Sequence, residues 1–429
     1  MLGRFGRRAI VLGLLAAAAC SEPPPGTLVV RAGRLLDGTG APAREHVRLT
    51  IREGSIVAVD DDDDAPAAPG ELVLDARDAT VLPGLINTHA GLFRACDGEH
   101  GGLRTGVANL AALLRGGLTT VVDLGAPTKT ALSLRRWVGT GRGRGPRLLV
   151  AGPTLVPPRV GASGAGARLV RDGWVVEVAD ATAAREQVRQ LAEAGVDFIA
   201  LALYTSAADG VAVPAFDAAT VCAIVDEAHT QKLRVAVHTS SDAALSTALG
   251  CKVDAIVHAL LRPIPGELAA RLAQARVPLT PDLRPPTRGE PPDPPQPGDA
   301  ELVASAAALR AAGAHLVLGH DGASCSQPPG SPVSALQQLV AAGMTPAQAL
   351  VAGTSEAARF AGLDDALGRL AVGYRADLLV VEGRPDESLS DLGRVRAVVI
   401  DGIVQPLDGP RWWALPSAAL ERAWAWLSG

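Results

Sequence analysis

"VLPGLINTHAGLF", residues 81–93, is where the chain changes rhythm. An apolar run closes on Pro83-Gly84, recovers through Leu85-Ile86 and stops at His89. Upstream, "TLVVRAGRLLD" (27–37) and "HVRLTIREGSIVAVD" (46–60) alternate apolar and polar residues around glycine turns, the period of half-buried strands. Downstream, short apolar runs alternate with alanine-rich amphipathic helices. The strand candidates are 81–88, 119–125, 147–152, 196–203, 234–238, 254–258, 277–280 and 315–321. Eight such strands with helices between them predict an α/β architecture, a closed (β/α)8 TIM-type barrel over 81–362. An open doubly wound sheet is the alternative, but no G-x-G-x-x-G turn follows an early strand. Strands at 377–381 and 395–404 predict a return to the N-terminal segment. That makes a small β-sandwich domain from 27–80 and 363–408.

Chemistry in such a barrel belongs at the C-terminal ends of its strands. His89 ends strand 1, His238 strand 5, His258 strand 6 and Asp321 strand 8. Four other histidines, His46, His100, His229 and His315, fall at strand starts, in a loop and on a helix, and read as ordinary polar residues. Two residues after His89, where a second histidine would complete an H-x-H pair, stands Gly91.

The rest of the chain sets the context. Hydrophobic residues make up 48% and charged residues 20% of 429, a globular composition. Aromatics are only 3%, so the core must be built mainly from Ala, Val and Leu. Arg4, Arg7 and Arg8 precede an apolar run ending in "AAAC" (17–20), the pattern of an export signal with a lipobox-like end. Residues 1–20 therefore read as a lipoprotein signal with Cys20 as the lipidated residue, and 21–26 as a tether. The protein is expected in the cell envelope or periplasm of a bacterium, held to the membrane only through that anchor. Net charge is −5 and no basic patch stands out, so no nucleic-acid partner is expected. Cys96, Cys222, Cys251 and Cys325 show no C-x-x-C spacing; they read as mostly buried free thiols, with pairing left open. The acidic run 60–64 reads as a solvated turn rather than a calcium loop. The proline-rich 281–299 and glycine-rich 157–169 read either as lids over the mouth or as surface insertions. The tail 409–429, with four tryptophans, reads as a helix packed on the body.

With strands and histidines placed, the chain resembles the amidohydrolase superfamily, in particular its imidazolonepropionase and prolidase-like branch. "VLPGLINTH", "GLTTVVDLG", "GRGPRLLVAGP", "GVDFIALALY", "VAVHTSS", "VDAIVHAL" and "LGHDGA" resemble the family's strand motifs in order. "GTSEAARFAGLDDALGRLAVGYRADLLVVEG" resembles its closing segment. The resemblance implies one or two divalent metals at the barrel mouth. Their ligands would be an H-x-H pair on strand 1, a carboxylated Lys on strand 4, His on strands 5 and 6, and Asp on strand 8. This chain keeps His89, His238, His258 and Asp321. It departs at Gly91 and at Ala200, which stands where the lysine would be; none of its three lysines lies near that strand end.

Two readings follow. One is a hydrolase with a single divalent ion, zinc being the expected one, cutting a non-peptide or dipeptide-type C–N amide bond of a small molecule. The resemblance then makes Asp321 both ligand and proton carrier, and His258 a ligand or a hydrogen-bond donor to the substrate oxyanion. Cys96, Asp97 or His100 could supply a replacement ligand from the loop after strand 1. His320 is discounted, because neighbours on a strand point opposite ways. The other reading is a catalytically inactive binding or scaffold lipoprotein on the same fold.

Overall fold

The computed structural model describes residues 26–93, 101–162, 164–203, 215–239, 241–257, 264–281, 299–320 and 331–407. The signal, its Cys20, the tether up to residue 25, most of the proline-rich segment and the tryptophan-rich tail lie outside them. So do Cys96, Asp97, His100, His258 and Asp321.

Period-2 patterning in the first 80 residues builds β1 (Leu28–Leu35), β2 (Arg44–Arg52), β3 (Ser55–Asp61) and β4 (Leu72–Pro83). β1 lies between antiparallel β2 and parallel β4, and β2 pairs with β3. The strands of the barrel region follow. They are β5 (Leu85–Asn87), β6 (Leu118–Asp123), β7 (Arg147–Val150) and β8 (Thr154–Val156), then β9 (Val175–Glu177), β10 (Phe198–Leu203), β11 (Arg234–Thr239), β12 (Ala255–Val257) and β13 (Leu279–Thr280). The chain then returns with β14 (Leu378–Val381), β15 (Val395–Ile400) and β16 (Ile403–Gln405). β14 pairs antiparallel with β4, Val380 opposite Val81, so both ends of the chain share one seven-stranded sheet. Backbone bonds from Ile56 to Tyr374 and from Gly373 to Ile56 curl that sheet around its own core.

The strand predicted over 81–88 is in fact two. Residues up to Pro83 complete β4 in the small domain, and only Leu85–Asn87 enter the barrel. Gly84 makes the break possible: a Cβ there would lie 2.1 Å from the Thr119 hydroxyl on β6. β14 is buried on both faces. Leu378 and Val380 point into the small core, while Leu379 and Val381 point into the layer between barrel and helices. An unbroken LLVV run is the expected sequence for such a strand.

The barrel is a TIM-type ring of parallel strands. β5, β6 and β7 form one ladder, and β8, β10, β11, β12 and β13 another. Asp197 N–H to Val150 O joins them at 2.7 Å. The eighth position, predicted as a strand over 315–321, carries isolated bridges instead. Leu316 bridges Leu279 on β13, and His320 bridges Ala90 just past β5. Gly319 sits in this seam because a Cβ would meet the Thr280 methyl at 2.0 Å. The glycine-rich 157–169 region is neither open loop nor simple insertion: a 3-10 turn (Val160–Ala162) and a helix (Gly164–Arg171) lead to β9, which pairs with β8.

Residues alternate strictly between the barrel interior and the helix layer. Phe198, Ala200, Ala236, Ala255 and Val257 fill the inside. Ile199, Leu201, Val235, Val237 and Ile256 face the helices. Alanines dominate the interior, which follows from the scarcity of aromatics. Phe360, from the helix Ser355–Ala361, packs against Phe198 at 6.2 Å and plugs the end where the strands begin.

Two readings of the sequence are corrected here. Cys222 and Cys251 are not free thiols; they form a disulfide with Cα atoms 4.8 Å apart. It ties the helix Ala218–Thr230 to the residue after the helix Asp242–Gly250. Helices that follow successive parallel strands lie side by side, so 29 residues of separation in sequence become contact in space. The acidic turn is also not wholly solvated. Asp61 and Asp64 are exposed, but the Asp62 side chain is 4% exposed and receives two bonds from Arg31, at 2.7 and 2.6 Å.

Candidate active site

His238 shares the parity of Ala236 on β11 and therefore points into the barrel at its C-terminal end. His89 follows β5 at the same end. Both are buried, at 8% and 4% exposure, and their rings meet edge to face with centroids 5.2 Å apart. The fold thus brings together two of the predicted site residues from positions 149 apart in sequence. His238 Nε2 makes a long hydrogen bond, 3.3 Å, to the Leu124 carbonyl just past β6. A carbonyl can only accept, so Nε2 carries the proton and Nδ1 the lone pair. A carbonyl fixing the tautomer of a buried histidine is the usual support for a metal ligand.

The pair fits one divalent ion. Two imidazoles bound to a tetrahedral ion at about 2.1 Å place their ring centres roughly 5 Å apart. A lysine-bridged two-ion centre does not fit. Ala200 is fully buried among Phe198, Ala236 and Val257, and offers no donor atom. Among the described residues no group of three His, Cys, Asp or Glu side chains is arranged to hold a metal. The other two members of the expected set, His258 and Asp321, lie outside the described residues.

The histidines set aside are accounted for. His229 Nε2 lies 2.9 Å from Asp254 on the outer surface, and His315 Nδ1 lies 3.3 Å from Glu356. His46 occupies a positive-φ turn position in the small domain, φ 53°. His320 is held at the mouth through its main chain rather than its ring.

Two residues at the mouth escaped the sequence reading. Asp123 closes β6 and is 3% exposed. It continues the register that pairs Asn87 with Val121, which puts its main chain opposite that of His89. Its signal was available, since "TTVVD" ends an apolar strand on an acid just as "VAVH" ends one on a histidine. Asn87 is 2% exposed and its carboxamide bonds the main chain on both sides of the strand 1 seam. A buried Asn two residues before a histidine carries no comparable signal.

A TIM-type ring of parallel strands joined to a β-domain made from both chain ends, with histidines at the ends of strands 1 and 5, defines a hydrolase type of fold. The amidohydrolase family model matches residues 80–261 and 268–404, and the chain belongs to that family. The family generally uses divalent metals, and membership supports a hydrolase acting on amide bonds of small molecules. Among solved structures, a Xaa-Pro dipeptidase with methionine in its active site superposes with a TM-score of 0.77 at 22% identity. That match covers 88% of this chain and 99% of the other. A prolidase complexed with N-methylphosphonate-L-proline superposes with a TM-score of 0.73 at 23% identity, covering 88% and 99%. An N-acyl-D-aspartate deacylase of Alcaligenes xylosoxydans xylosoxydans is 39% identical over 67 residues. The match spans 16% of this chain and 13% of that relative.

Proposed function

We propose that this protein is an exported hydrolase with one divalent ion, acting on a dipeptide-type or other small C–N amide bond. The observation that carries the reading is the buried His89–His238 pair at the barrel mouth, with its tautomer set by Leu124. His89 and His238 would hold the ion, zinc being the expected one, together with His258 and Asp321 from the family motif. Such an ion supplies activation of a water molecule and polarisation of the scissile carbonyl. Asp321 would take the water's proton and deliver it to the leaving nitrogen, and His258 would hydrogen-bond the developing oxyanion. Relatives named for Xaa-Pro dipeptides make these the first substrates to try.

Export rests on the basic-apolar start and "AAAC" at 17–20, with lipidated Cys20 as the anchor. The Cys222–Cys251 disulfide supports an oxidising compartment.

A second reading keeps the fold and drops the chemistry. Gly91 and Ala200 offer no donor atoms, which favours a binding or scaffold lipoprotein. Metal analysis of the purified mature protein separates the two. Stoichiometric zinc, manganese or iron, lost in His238→Ala and retained in His229→Ala, is the expected result. If the wild type takes up none of these ions at stoichiometric supply, the hydrolase reading is wrong.

A further inference from the structure

We infer that Asn87 is a positioning residue for the mouth, setting the main chain of His89 on one side of the barrel seam and of His320 on the other. His320 precedes Asp321 in sequence, so one carboxamide holds the main chain of His89 and of the residue next to a second proposed ligand. What the site does rests on the hydrolase reading above; the positioning itself does not.

Three hydrogen bonds carry the inference. Asn87 Oδ1 accepts from His89 N–H at 3.1 Å and from His320 N–H at 2.9 Å. Asn87 Nδ2 donates to the His320 carbonyl at 3.1 Å. Around the seam the main-chain pairing is short: the isolated Ala90–His320 bridge and one bond from Thr88 N–H to the Leu318 carbonyl, 3.1 Å. The Asn87 side chain does there what a longer run of paired strand would do elsewhere, and it does so at 2% exposure, where an unmade bond is expensive. The chemistry requires an amide. Aspartate would keep the accepting oxygen but set a second oxygen against the His320 carbonyl. Alanine would leave both N–H groups without this acceptor.

Thr88 provides the contrast. It also ties strand 1 to the eighth segment, donating Oγ1 to the Leu318 carbonyl at 2.8 Å and lying 2.6 Å from the Thr280 hydroxyl. Those bonds touch the main chain of neither His89 nor His320. A seam that merely needs tying should feel both losses alike; a seam that positions the site should feel them differently.

The test uses the full mature chain, with Asn87→Ala, Asn87→Asp and Thr88→Val beside the wild type. Amide hydrogen exchange is read on the metal-free proteins, and zinc affinity by chelator competition. Asn87→Ala should speed exchange at the His89 and His320 amides and weaken zinc binding about 10- to 100-fold. Thr88→Val should lower the melting temperature with zinc affinity unchanged. Asn87→Asp, which keeps the accepting oxygen and is the variant to rely on if alanine does not fold, should show exchange between wild type and Asn87→Ala. Unchanged exchange in both Asn87 variants overturns the inference. Equal zinc losses in Asn87→Ala and Thr88→Val overturn it as well, reducing Asn87 to a structural tie. A wild type that binds no zinc overturns the hydrolase reading instead, and exchange at the two amides then decides for or against Asn87.

Discussion

The two ends of the barrel are built on opposite principles. At the base, where the strands begin, buried charge is paired. Arg147, on the first residue of β7, bonds Asp377 at 2.6 Å and Asp401 at 2.5 Å, and Asp377 also accepts from Asp401 N–H at 2.9 Å. Asp377 is nearly inaccessible, and burial pushes its carboxyl above the ordinary carboxylate range against the pull of Arg147. The Asp377 carbonyl meanwhile accepts from Gly84 N–H, so the cluster sits at the joint between the two domains. At the mouth, ionisable side chains are gathered under cover: two buried imidazoles meet edge to face, and buried Asp123 closes the neighbouring strand. A base so paired serves stability, whereas a mouth that buries ionisable side chains at some cost is the pattern expected of a binding or catalytic site.

The sharpest way to break this contrast is a pair of variants read by two assays. His89→Ala should cut hydrolysis by more than about a hundredfold while leaving the melting temperature near the wild-type value. Arg147→Ala should cost about 3 kcal/mol of stability, because it strands a buried carboxylate. Its zinc content per folded molecule should match the wild type. Hydrolysis of a Xaa-Pro dipeptide and thermal melting check His89→Ala, and denaturant titration with metal analysis checks Arg147→Ala; if Arg147→Ala loses its metal while still folded, the base and mouth are not independent.

The disulfide gives an effect of similar size or smaller. Replacing Cys222 and Cys251 together with serine should cost about 3 kcal/mol, from the larger conformational freedom of an unfolded chain with no 29-residue loop closed. Melting in the presence and absence of reductant checks it, and the double variant should be indifferent to reductant.

How much of this was legible beforehand follows the same division. The barrel, the returning strands at 377–404 and the direction of His238 could be read because they rest on period-2 burial, which is written in the order of residue types. The broken first strand could not be read in full. Pro83-Gly84 signals a break, but only the approach of Thr119 to Gly84 shows where one domain ends. The cysteine pair was missed because spacing in sequence says nothing about which helices lie side by side. Asn87 was missed because its role lies wholly in bonds to the main chain of a segment 233 residues away.

The smallest expected effect tests whether matched charge matters even at the edge of the small domain. The Arg31 bond holds the Asp62 carboxyl below its usual range, although burial opposes it. A carboxyl with a depressed folded-state pKa adds stability that is present above the unfolded value near 3.8 and is lost as pH falls through the lower folded value. Asp62→Asn should therefore cost about 1 kcal/mol at neutral pH. That difference should persist down to about pH 5 and shrink toward zero as the wild-type carboxylate takes up its proton at lower pH. Urea titrations of wild type and variant between pH 3 and pH 7 measure it. A stability difference that stays constant across that range would mean that Asp62 acts through packing and not through its charge. The acidic turn would then differ in kind from the paired base around Arg147 that it is taken to resemble.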